Sequence, residues 1–409
     1  MNANGPVSAV GDRVWVTNLM IVLVGLTLFA GVNARSGRVE ANGGLGWDGR
    51  QYAHMVTGRV EDGTVSTQTR PLLPLLTRIP YAAGLDVIRA FQVMNFVYAT
   101  VLYFFLCLIL DLYDVAVVYK LYFVVSVALC IATSRMFAFY PVQIDLGVLA
   151  VLSASTYVLL TRSGWMAGCA ALIAVTAREF GGVTAFFGFH RELRRGESVV
   201  RALLTYAPAV AALFLLRHWA STTNLGDRRA LGTVSDFVAD LAHWRDPVFV
   251  VFFVYFLVTL LGGITVLLTL RAAWCVRRLA GTPELATFAA LVVAAAAVGV
   301  DMWRYLVFLL PAITILFGAY VRDHRPGAVL LTGALLLTLV TQQPFTRMDM
   351  TQYFRDWFPA YPYLSNDVTA EFWAAWRLRL AITGAGAVAL GILQRTLARR
   401  GVRPPGSAT

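Results

Sequence analysis

Long uncharged apolar runs constrain this chain more than any motif. The first is Val14 to Ala34, and others follow near 87–110, 115–133, 142–161, 201–217, 247–270, 284–300, 303–321, 327–341 and 373–395, with a shorter apolar pair across 165–189. A hydrocarbon core about 30 Å thick takes roughly 20 apolar residues as a helix, so runs of this length read as membrane spans. Composition agrees: 14% of residues are charged and 58% hydrophobic, with a mean hydropathy of +0.67, against about 25% charged in a soluble domain. The expected fold is all-α, a polytopic transmembrane bundle of about ten to twelve helices forming a single domain over 1–409. The first run is too long for a signal-peptide core and has no small-residue cleavage site leading into a soluble domain, so it reads as a retained helix.

The formal charge of +11 does not point to nucleic acid, because the arginines stand in short clusters between apolar runs. "HRELRRGE" (190–197), "RAAWCVRR" (271–278), "RDHR" (322–325) and "QRTLARRGVR" (394–403) are the most basic of these. The positive-inside rule places them on the cytoplasmic side. An even number of spans separates each from the next, and both termini fall inside if 165–189 is two short helices with "TAREFGG" (176–182) as the outward turn. Lys120 is the chain's single lysine in an Arg- and Ala-rich sequence, which fits a bacterial plasma membrane. Cys107, Cys130, Cys169 and Cys275 show no CxxC pair or ligand spacing, so neither disulfide nor zinc chemistry is expected.

This topology sends the polar segments to one outer side. They are the loop 35–84, which carries "GWDGRQY" (46–52) and holds short interfacial or re-entrant segments, "SRMFAFYPVQID" (134–145), the Arg178–Glu179 turn, the loops 218–246 and 342–372, and "DMWRY" (301–305). Asp145, Arg178, Glu179, Asp301 and Arg304 start or interrupt apolar runs. An ionisable group costs about 2.5–3.5 kcal/mol at a span's centre and generally faces a cavity or a bundle interior. A polar cavity open to the outer leaflet is expected.

Asp48 stands between Gly46 and Gly49, with Trp47 and Tyr52 alongside. It reads either as a general base or as the N-cap of a helix starting at Gly49. Arg50 and His54 continue the polar face of the same short helix. "TRPLLPLLTRIP" (69–80) is too broken by proline for a regular span and too apolar for a free loop, so it lies along the interface or dips into the bundle. Arg70, Arg178 and Arg304 suit a phosphate, whose oxygens match the guanidinium fork, and read singly as interface anchors. Ion pairs of Arg178 with Glu179, Arg135 with Asp145 and Arg304 with Asp301 are the plain alternative. No Walker loop, GxGxxG, GxSxG or HExxH is present.

The order "GWDGRQY" (46–52), "RPLLPLL" (70–76), "TAREFGG" (176–182) and "WRYLVFLLP" (303–311) resembles the GT-C class of integral membrane glycosyltransferases. The resemblance implies a mannosyltransferase-like enzyme. It would take a sugar from a polyprenyl-phosphate donor in the bilayer and pass it to a glycan or lipid acceptor on the outer face. It transfers the role of catalytic base to Asp48 and sets Arg178 and Glu179 near the donor phosphate and sugar, with Arg304 near the phosphate. Trp47, Arg50, Tyr52, Arg70, Asp145 and Tyr305 complete the implied substrate site. No cofactor is fixed by it, although a divalent cation has a place in the class. Many members carry paired acids in the first outer loop, whereas Gly49 follows Asp48 here. A lipid transporter or flippase is the reading from another class, and the one-sided polar residues and lack of an internal repeat weigh against it.

Overall fold

The computed structural model describes residues 12–223, 244, 247–298, 302–348 and 370–399. Every regular element among them is a helix. Among the described residues five helices are long and apolar enough to cross a membrane, and the number is seven if each of two bent pairs is one span. The protein is an all-α polytopic integral membrane protein.

Helix α1 (Asp12–Arg35) is the first apolar run. The loop after it folds into α2 (Asp48–Thr57), α3 (Val65–Gln68) and α4 (Leu72–Ala82), joined by short 3-10 turns. Helix α4 is the proline-rich stretch, a short helix of 11 residues and not one of the candidate spans, as expected. Pro71 sits at its N-cap and Pro74 in its first turn, where the missing N–H has no intrahelical acceptor to lose, so only Pro80 interrupts the ladder. Asp86 caps α5 (Val87–Asp111), its carboxylate accepting from the Arg89 amide at 3.0 Å. Helix α6 (Val117–Leu129) leads through a 3-10 turn to α7 (Arg135–Phe139) and α8 (Asp145–Thr161). The apolar pair is α9 (Trp165–Ala177) and α10 (Gly182–Arg194), turning at 178–181 as expected. Helix α11 is Val199–Thr223.

The window 247–270, expected as one span, is two helices, Pro247–Thr259 and Gly263–Thr269, bent by 102°. Gly262 takes φ +57°, and the Gly263 backbone packs on that of Ala334, where a side chain has no room. The Gly263 amide freed at the break donates to Thr338 Oγ1 at 2.8 Å. The basic stretch 271–278 is a helix too, Ala272–Ala280, and the next helix leaves it at 116°.

Burial separates inner from outer helices. The span Arg304–His324 is 94% buried across its most apolar stretch, against 17% for α11 and 11% for Trp376–Leu397. The last two present their apolar sides outward. At one end of the bundle the basic turns gather, and Arg194 pairs with Glu284 at 2.8 Å. The same end of α5 closes a triangle: Lys120 Nζ donates to Asp111 Oδ1 at 2.6 Å and to Asn18 Oδ1 at 2.7 Å, while Asn18 Nδ2 donates to Asp111 Oδ2 at 2.6 Å. Lys120 is 3% exposed. The other end of the bundle collects α2, the starts of α4 and α8, the 178–181 turn and the start of the Arg304 span.

Candidate functional site

Asp145 is the first residue of α8, where a carboxylate also meets the positive end of the helix dipole. Its two oxygens go to two arginines. Oδ1 accepts from Arg178 Nη1, and Oδ2 accepts from Arg304 Nε at 2.6 Å. All three side chains are buried, with exposures of 1% for Asp145, 2% for Arg178 and 6% for Arg304. Arg304 Nη1 extends to Asp48 Oδ2 at 3.3 Å, and the Asp48 side chain is 43% exposed. Asp48 is thus the open member of a chain of charges whose other members are shut in. The Arg178 guanidinium also stands 5.1 Å over the rings of both Tyr305 and Phe308, and Phe180 stacks on Phe308 at 5.3 Å. Aromatic faces hold a cation without competing for its N–H donors.

Beside it lies a second unit. Arg70 grips Glu179 in a fork, Nε to Oε2 at 2.9 Å and Nη2 to Oε1 at 3.2 Å, and its Nη1 donates to Tyr52 Oη at 3.0 Å. Thr69 Oγ1 adds a bond to Glu179 Oε1 at 3.3 Å. Burial pushes the Glu179 carboxyl up, and the Arg70 guanidinium more than offsets this, leaving it below the ordinary carboxylate range. Among the described residues, Arg70, Arg178 and Arg304 therefore stand against Asp48, Asp145 and Glu179, three cations to three carboxylates.

Two glycines set Asp48 in place. Gly46 takes φ +69°, and a Cβ on it would run into the Tyr140 ring. The Gly49 amide donates to Tyr140 Oη at 2.8 Å, and Trp47 meets the same ring edge-on at 6.0 Å. Helix α2 begins at Asp48 itself, with Trp47 at the N-cap. Asp48 is not the cap residue, and its carboxylate turns to Arg304.

Asp48, Tyr52, Arg70, Asp145, Arg178, Glu179, Arg304 and Tyr305 come together. Trp47 supports them through Tyr140. Arg50 does not join them: it lines a separate cavity with His54 on another face of α2. Of the plain ion pairs, Arg178 and Glu179 turn to different partners, Asp145 takes Arg178 and Arg304, and Arg135 donates to the Arg347 carbonyl at 3.0 Å. Asp301 lies outside the described residues, as do most of the outer loops 218–246 and 342–372. Tyr140, Phe180 and Phe308 escaped the reading of the sequence; in an apolar chain rich in aromatics they carry no mark of their own. Among the described residues no three His, Cys, Asp or Glu side chains come close enough to hold a metal ion. The carboxylates face guanidiniums instead, so this donor set does not fit a divalent cation.

Fold and cluster define an all-α integral membrane protein with a buried arginine–carboxylate centre that opens at Asp48. No family model, curated protein or solved structure matches the chain.

Proposed function

We propose that the protein is a membrane glycosyltransferase of GT-C type, transferring a sugar from a polyprenyl-phosphate donor to a glycan or lipid acceptor. The observation that carries the reading is Arg304, whose guanidinium spans buried Asp145 and open Asp48. A phosphate near Arg304 and Arg178 brings the sugar's anomeric carbon to the Asp48 side. The Asp48 carboxylate then takes the proton of an acceptor hydroxyl while that oxygen bonds to the anomeric carbon. The bond from that carbon to the phosphate oxygen breaks, and the lipid phosphate leaves with the electron pair. Guanidiniums already fixed by Asp145 and by aromatic faces stabilise the growing charge without reorganising. A single displacement of this kind inverts the anomeric centre. The site lies on the outer face of a bacterial plasma membrane with both termini in the cytoplasm, a placement supported by the basic turns gathering at the opposite end of the bundle.

The test is transfer of radiolabelled sugar from polyprenyl-phosphate sugars by purified protein beside D48N of equal thermal stability. Transfer by the wild type with a loss of at least about 100-fold in D48N supports the reading. Lipid or sugar transit without transfer, equal in both proteins, replaces it with the flippase.

A further inference from the structure

Helix α2 has two polar faces. Asp48 and Tyr52 turn toward the arginine centre, whereas Arg50, Ala53, His54 and Thr57, spaced i, i+3, i+4 and i+7, form the wall of a cavity of about 500 Å³. Asn42, in the turn before α2, Val87, at the start of α5, and Arg59 also line this open cavity. Asn42 is a non-glycine residue at φ +50°, held by a bond from its Nδ2 to the Gly46 carbonyl at 2.6 Å.

Helix electrostatics account for some of the basic residues but not for the first. His54 and Arg59 stand at the C-terminal end of α2, where cations complement the dipole. Arg50 sits in the first turn, where a cation is disfavoured, and it has no carboxylate partner among the described residues. Arg59 reaches Asp62 only at 3.9 Å. The buried Nδ1 of His54, 3.6 Å from Asp62, makes no hydrogen bond among the described residues. The cavity is thus lined by a guanidinium with no carboxylate partner among the described residues and by the His54 side chain, beside the apolar Ala53 and Val87.

We infer that this cavity binds an anionic group, a phosphate or carboxylate, of the acceptor substrate. The assignment to the acceptor rests on the transferase reading, and the binding of an anion does not. Arg50 follows Asp48 by two residues, about 3 Å along the helix and on its opposite side. An acceptor held there carries its charge about one helix width, ~10 Å, from the hydroxyl that reacts at Asp48. The anion belongs either to a lipid headgroup or to a soluble phosphorylated or carboxylated sugar.

Protein in phosphatidylcholine nanodiscs is offered glycerol 3-phosphate or dioctanoyl phosphatidic acid, related phosphate monoesters without and with acyl tails. Phenylglyoxal modification at Arg50 is followed by peptide mass spectrometry, and radiolabelled probe binding is measured in wild type, R50Q and D48N. At least one probe slows Arg50 modification, and R50Q, with the wild-type unfolding temperature, binds that probe at least about tenfold more weakly. D48N binds as the wild type does. Protection by both probes marks a soluble anion, and protection by the tailed probe alone marks a headgroup. Unprotected Arg50, an R50Q that binds normally, or a parallel loss in D48N overturns the site. If Arg50 is protected but no donor supports sugar transfer, the transferase falls and the anion site stands. If transfer proceeds and neither probe protects, the reverse holds.

Discussion

Among the described residues, Asp145 holds two guanidiniums that meet no other carboxylate as deeply buried as itself. Removing its charge leaves Arg178 and Arg304 facing one another in a poorly solvated interior, and breaking a buried pair in this way costs roughly 3–5 kcal/mol. D145N should therefore unfold far below the wild type in detergent, whereas D48N, at the open end of the same chain of charges, should unfold near it; thermal scans of the two side by side decide this. Glu179 gives a pH signature. Its carboxyl is depressed below the usual range in the folded protein, so its contribution to stability is complete above the unfolded value of about 4.3 and is lost as pH falls through the folded one. The gap in unfolding temperature between wild type and E179Q should be widest near pH ~6 and close as pH falls below ~4; a gap that widens in acid contradicts the fork with Arg70. The sequence marks these residues because charges at the ends of apolar runs are conspicuous. It does not mark which of them pair, because the partners lie 33, 109 and 159 positions apart and meet only through helix packing.

At the scale of elements, apolar length was the readable quantity, and breaks without polarity were not. The Arg178–Glu179 turn interrupts hydrophobicity and was found, whereas the bend at Gly262 sits among Leu, Thr and Gly and leaves no trace in hydropathy. Helix α4 is legible for the opposite reason: three prolines in a short apolar stretch argue against a span, and the stretch forms an 11-residue helix with two of those prolines at its N-terminal end. The entry into α2 supports a paired test of glycine function. Gly43 and Gly46 take φ of +64° and +69°, but a Cβ on Gly43 meets nothing within 4 Å, whereas one on Gly46 meets the Tyr140 ring. G43A should cost only the left-handed backbone penalty, about 1 kcal/mol. G46A should cost clearly more and, on the transferase reading, should also impair sugar transfer by displacing Asp48; equal losses in both variants would mean that Tyr140 yields freely.

Seen whole, the molecule keeps its two ends electrostatically distinct while its outermost helices meet lipid. The triangle of Asn18, Asp111 and Lys120 ties α1, α5 and α6 together at the end remote from Asp48. Because Lys120 is the chain's single lysine, a protease that cuts only after lysine has one target, enclosed in a helix that must open before cleavage. Digestion with such an enzyme should leave the native protein whole and convert the opened one into two fragments, split after residue 120 of 409. The rate at which the intact band disappears on a gel then serves as a clock for separation of α1, α5 and α6, and the ligands that slow it are the ones that bind the closed bundle.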